Sequence, residues 1–129
     1  MFPGTLRLLS LLLPSEFPFH PHWKVSESHP MYWELFPTID HVEPVVMGGL
    51  DEDSNWVTTS MLRNSAKAHW SLADLGWTLK PAGDVSEWDG LSAWFYGYVS
   101  AHPQCLSDAY LRSWHRAGEA FARVPSRRH

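Results

Sequence analysis

The sequence predicts an α+β fold: a single domain in which a strand, loop, strand and helix are wrapped by an N-terminal arm and C-terminal helices. β-Branched residues gather between Thr38 and Thr59 on either side of Gly48-Gly49, which is the pattern of two strands and a turn. Apolar residues recur at helical spacing after residue 84, and prolines crowd the stretch before Thr38. At 129 residues, 44% hydrophobic and 19% charged, the chain has enough apolar surface for one core and too little length for two. The expected organisation is one domain over 1–129, with the strand-and-helix core at about 38–70 and a helical extension at about 84–124.

Along the chain, Leu6, Leu8, Leu9 and Leu11 to Leu13 form an apolar run broken by Ser10 and stopped by Pro14. No small-residue cleavage site follows, so the run reads as a short buried helix and not as a signal peptide. Residues 15–37 carry Pro18, Pro21, Pro30 and Pro37 among aromatics and read as a packed irregular arm. Ile39, Val42, Val45 and Val46 make a first strand ending at Gly48-Gly49. Asp51-Glu52-Asp53-Ser54 is a solvated loop, and Asn55 to Thr59 is the second strand of a hairpin.

Ser60 is placed to cap a helix from about Met61 to Trp70. Ser71 to Gly76 reads as a single turn and Pro81 to Gly83 as a loop. Asp84 and Glu87 resemble a capping box for a helix carrying Trp88, Leu91, Phe95 and Tyr98 on one stripe. Ser107 is the expected cap of a last helix with Tyr110, Trp114, Ala117 and Phe121 aligned, followed by Pro125 and the basic Arg127-Arg128-His129.

A net charge of -4, from 10 basic and 14 acidic side chains, excludes binding of nucleic acid by bulk charge alone, so any phosphate contact must be local. The single cysteine, Cys105, excludes a disulfide framework and a four-thiolate zinc site, and points to the cytoplasm. No apolar run approaches the roughly 20 residues that cross a bilayer, so no membrane partner is expected.

The chemistry is concentrated between Thr38 and Lys67. Asp40 and His41 are adjacent, Asn55 follows His41 by 14 residues, Asn64 lies 9 further on and Lys67 another 3. In a ββα arrangement His41 is expected to face the helix, with Asn64 presenting its amide oxygen toward Asp40. Two hard oxygen donors suit a magnesium or manganese ion that keeps several waters. An imidazole, with an ordinary pKa of about 6.5, is an apt base for activating water at neutral pH. The start of the helix at Ser60 favours an anion nearby, and Lys67 shares a helical face with Asn64 and is placed to hold a substrate backbone.

Asp40-His41-Val42-Glu43-Pro44, Gly48-Gly49, Asp51, Asn55 and Asn64-Ser65-Ala66-Lys67 together resemble the HNH endonuclease motif, of ββα-metal fold. The resemblance covers residues 38–67, and both intervals agree with the motif as well as the residue types. It implies His41 as the general base, Asn55 as the residue that braces the loop between the strands, and Asn64 and Asp40 as ligands of one divalent metal. It also implies hydrolysis of nucleic-acid phosphodiester bonds, DNA rather than RNA, leaving a 5'-phosphate and a 3'-hydroxyl. The wider chain is similar to small bacterial HNH proteins.

Two departures alter what is expected. Many family members carry paired CxxC zinc knuckles, whereas Ser60 and Arg63 stand where the second pair would fall, so no structural zinc is expected and the tryptophan-rich helices must brace the core. Asn64 replaces the final histidine of the motif, which moves the metal preference further toward hard ions.

Other readings stand beside these. A non-catalytic nucleic-acid- or partner-binding module of the same fold is the alternative function, and carbohydrate binding by exposed tryptophans ranks last. Arg63 and Lys67 are substrate contacts or simply a solvated helix face. His20 and His22 share one side of the arm without a third ligand, and His69 and His115 read as structural. Trp88, Trp94 and Trp114 fall on core stripes, while Trp23 and Trp33 are left open. Arg112, Arg116, Arg123, Arg127 and Arg128 form a basic face at the C-terminus.

Overall fold

The structure, a computed structural model, describes residues 1–22 and 24–122, with side chains as far as residue 120. The described residues contain five α-helices and one two-stranded antiparallel sheet, an α+β architecture, with 3-10 turns and loops between them. Helix α1 spans Pro3–Leu12, α2 Met31–Leu35, α3 Met61–Lys67, α4 Ser92–Ala101 and α5 Ala109–Ala122; strands β1 and β2 span Pro37–His41 and Trp56–Ser60.

Helix α1 is the hub. Pro3, Gly4, Thr5, Leu6, Leu8 and Ser10 are all buried, and the two ends of that face feed two apolar clusters. Leu8 joins Phe95, Val99 and Leu111 from α4 and α5, with the Phe2 ring edge-on to Phe95 at 5.1 Å. Leu6 joins Met31 and Tyr32, covered by Phe17, Phe19 and Phe36 of the arm. Each of these large side chains contributes about 1.5–3 kcal/mol through burial. Thr5 is buried with its hydroxyl satisfied by the Leu91 carbonyl at 3.0 Å, and the Tyr32 hydroxyl donates to the Leu6 carbonyl at 3.1 Å. These bonds meet the rule that buried polar groups find partners, and they fix α1 in rotation.

The hairpin pairs Pro37 with Ser60 through to His41 with Trp56. The first strand is shorter than its β-branched content suggests: it ends at His41, and Val45 to Met47 form a 3-10 turn after Pro44. Proline cannot donate to a ladder, and Gly48 closes the turn at a φ of 99°, which glycine adopts without a side-chain clash. β2 runs directly into α3, where the Ser60 hydroxyl accepts from the Arg63 amide at 3.1 Å as an N-cap. That helix stops at Lys67, three residues before the expected Trp70, because Ala68 turns to a φ of 48°.

Four further expectations are corrected. The arm is not wholly irregular: Pro30 starts the short helix α2 and residues 25–27 make a 3-10 turn. Asp84 caps only a local turn through Ser86, and the helix begins at Ser92, where Asp89 accepts from the amides of Leu91 and Ala93 at 2.8 Å each. Asp108, not Ser107, caps α5, accepting from the Leu111 amide at 3.0 Å. Trp88 and Trp94 are exposed at 57% and 41%, so they stand outside the core, whereas Trp33 packs against the Leu6 cluster and Trp114 meets the Phe2 ring at 5.8 Å. The side chain of Phe121, Trp23 and the tail from Arg123 through Pro125 to His129 lie outside the described residues.

Candidate functional site

Alternation along β1 divides the candidate residues between two faces. Thr38 and Asp40 face α3, where the Asn64 side-chain amide donates to Thr38 Oγ1 at 3.2 Å and to the Ile39 carbonyl at 3.3 Å. One helical turn on, Lys67 Nζ lies 3.3 Å from Asp40 Oδ2 and donates to the His41 carbonyl at 2.7 Å. Lys67 is 3% exposed, so its ammonium is buried and spent on the strand end. The second carboxylate oxygen of Asp40 accepts from the His41 amide at 2.8 Å. Asn64 donates through its NH2 group, while its Oδ1 accepts no hydrogen bond among the described residues.

The ring of His41 turns to the opposite face of the strand, which corrects the expectation that it faces the helix. There Nε2 lies 2.9 Å from Asp51 Oδ1, and the indole Nε1 of the cross-strand partner Trp56 lies 3.1 Å from the same oxygen and 3.3 Å from Nε2. The hydrogen bond from His41, and then that from Trp56, hold the Asp51 carboxyl below the ordinary carboxylate range.

Asn55 ties the connecting loop together. Its Oδ1 accepts from the Glu43 amide at 2.9 Å, and its Nδ2 donates to the carbonyls of Glu43 at 2.9 Å and Leu50 at 2.8 Å. The backbone adds a rung from the Val42 amide to the Asn55 carbonyl at 2.8 Å. Position 49 leaves no room for a side chain: a Cβ there would overlap the Glu43 carbonyl oxygen. The loop that carries Asp51 is therefore fixed relative to the strand that carries His41.

Asp40, His41, Val45, Val46, Lys67 and His69 line a hollow of about 290 Å³ at the end of β1. Asp40, His41 and Lys67 thus share one cavity, while Asn64 sits on the Asp40 face and is not among the lining residues. A larger cavity, about 460 Å³, lies between α1 and the arm, lined by apolar side chains with Arg7 at one side. Arg7 is held there by Asp108 at 3.0 Å. Titratable residues line the smaller hollow, with the His41 ring bonded to Asp51 on the strand face opposite the Asp40 carboxylate, and this strand end is the candidate site.

The remaining candidates stand apart from it. Arg63 is exposed and lies over the Trp77 ring at 5.3 Å. His20 pairs with Glu27 at 3.4 Å, with the His22 ring 5.6 Å away. His115 packs on Tyr96 at 5.2 Å, and Arg112 is bound to the Leu106 carbonyl at 2.7 Å. Sequence reasoning gave Asp51 and Trp56 no chemical role. The available signal was register: in an antiparallel pair ending at His41, Trp56 falls opposite it on the same face, and an acid after Gly48-Gly49 folds back toward both.

Compared with protein-family models, with curated proteins and with solved structures, the chain matches none. No helix among the described residues is long and apolar enough to cross a membrane.

Proposed function

We propose that the protein is a cytoplasmic divalent-metal-dependent endonuclease of HNH type that hydrolyses nucleic-acid phosphodiester bonds, DNA before RNA, with His41 as general base. The observation that carries the reading is His41, held at Nε2 by Asp51 at 2.9 Å, on the rim of a hollow it shares with Asp40. Water enters that hollow, His41 accepts its proton, and the oxygen attacks phosphorus as the bond to the 3'-oxygen breaks. The departing oxygen takes a proton from solvent, leaving a 5'-phosphate and a 3'-hydroxyl.

Asp40 and Asn64 fit a magnesium or manganese ion by donor type: one carboxylate, and one amide oxygen whose NH2 group is anchored two residues away on the same strand face. When bound, such an ion neutralises charge on the phosphoryl oxygens and the leaving group. Glu43, Asp51, Glu52 and Asp53 give the surrounding loop a negative rim, so a phosphate approaching it needs a cation. Lys67 positions Asp40 and the His41 backbone instead of gripping substrate, and Asn55 holds the loop. Exposed Arg63 remains the candidate contact to the nucleic-acid backbone.

One observation favours a second reading. The buried Lys67 ammonium already balances Asp40, as it would in a non-catalytic module that keeps the fold and binds nucleic acid or a protein partner. Supercoiled plasmid incubated with magnesium or manganese separates the two. The nuclease reading expects nicking that chelator abolishes and that His41→Ala lowers at least 100-fold. Equal plasmid integrity with and without metal supports the binding module.

A further inference from the structure

Three polar groups meet on the outer face of the hairpin, and their hydrogen-bonding capacities leave one arrangement of protons that satisfies them all. Asp51 Oδ1 is an acceptor, the Trp56 indole is a donor, and His41 Nε2 stands between them at 2.9 Å and 3.3 Å. If Nε2 carried a lone pair it would oppose the carboxylate at hydrogen-bond distance. With a proton on Nε2, both the imidazole and the indole donate to Asp51 Oδ1, the indole at 3.1 Å. Nδ1 has no hydrogen-bond partner among the described residues.

We infer that Asp51 is a positioning residue that fixes neutral His41 as the Nε2–H tautomer, leaving the Nδ1 lone pair to take the proton of the attacking water. This inference deepens the nuclease reading and rests on it for its kinetic consequence. The tautomer itself is a property of the free protein. A carboxylate suits this role because one of its oxygens accepts from the imidazole and the indole together. Asp51 is 72% exposed, so its loss removes no core packing, and Asn55 holds the loop without it.

The test uses the full chain labelled with 15N at histidine and freed of metal, at a pH where the imidazoles are neutral. Comparison with His41→Gln identifies the His41 resonances. The wild type is expected to show a protonated Nε2 and an unprotonated Nδ1. Asp51→Ala leaves the Trp56 indole donor as the neighbour of Nε2, so the ring is expected to shift toward Nδ1–H, whereas Trp56→Phe keeps the wild-type tautomer. In single-turnover cleavage with saturating DNA and metal, the Asp51→Ala rate is expected to fall about 10- to 100-fold with apparent DNA affinity no weaker than that of the wild type. A wild-type Nδ1–H tautomer, an Asp51→Ala spectrum showing the wild-type tautomer, or an unchanged Asp51→Ala rate overturns the assignment. The expected tautomers in a protein that cleaves no DNA leave Asp51 as the tautomer-setting group and remove the nuclease reading instead.

Discussion

Lys67 and Asn55 show how side chains of ordinary type become structural commitments. Removing the Lys67 ammonium with Lys67→Met leaves Asp40, only 12% exposed at its side chain, without its charge partner. A loss of about 3 kcal/mol in urea unfolding is expected, since breaking a buried pair strands the remaining charge. Asn55→Ala deletes one acceptor and two donor bonds at once, and a loss of about 1–3 kcal/mol is expected in the same measurement. The intervals from His41 to Asn55 and Asn64 were legible in the sequence, and so was Ser60 as a cap. The burial of Lys67 was not, because a lysine at that spacing reads equally as a solvated face until the helix is docked on the strand. Asp51 stood among the motif residues without a role, because its contact with the His41 ring is made only once the loop folds back on the strand.

Among the elements, the hairpin carries the candidate site, and its loop is packed closely enough at position 49 to exclude a side chain. Gly49→Ala drives a methyl against the Glu43 carbonyl oxygen and the Asn55 amide, and a loss of about 2 kcal/mol is expected, with the loop amides around residues 43–55 losing hydrogen-exchange protection before the helices do. The last two helices lie within the stretches that periodicity marked but start later than expected, α3 starts at Met61 as expected and stops early, and α2 falls in the arm that was read as irregular. Asp84 with Glu87 mimicked a capping box, but Asp89 lies closer to a chain that has already turned at Gly90 with a φ of 66°. Local capping chemistry recurs often enough in this sequence that tertiary packing decides which acid is used. Similarly, Val45 and Val46 have strand propensity, but Pro44 before them removes the ladder donor, and a 3-10 turn wins.

Across the whole molecule, Arg7 of α1 and Asp108 at the start of α5 join residues 101 positions apart, beside the core of Leu8, Phe95 and Leu111. Burial raises the Asp108 carboxyl, but the Leu111 amide and the Arg7 guanidinium outweigh it, so the group sits below the ordinary carboxylate range. Its stabilisation is therefore complete above the ordinary carboxylate pKa and is lost as pH falls through the lowered one. Asp108→Asn is expected to flatten the acid limb of stability against pH, as followed by urea midpoints. The α+β class was readable because strand and helix patterns occupy separate stretches. The tryptophans misled because their size on a helical stripe suggests burial, whereas α4 turns Phe95 and Val99 inward and leaves Trp94 outside. The chemistry proposed for the hollow at the end of β1 is tested by a single rate comparison. End-labelled duplex DNA incubated with excess protein and manganese is expected to be cut to 5'-phosphate products by the wild type, to survive when chelator is added, and to survive with His41→Ala. Cleavage that persists at the wild-type rate in His41→Ala, or no metal-dependent cleavage by any form, would show that His41 performs no such reaction.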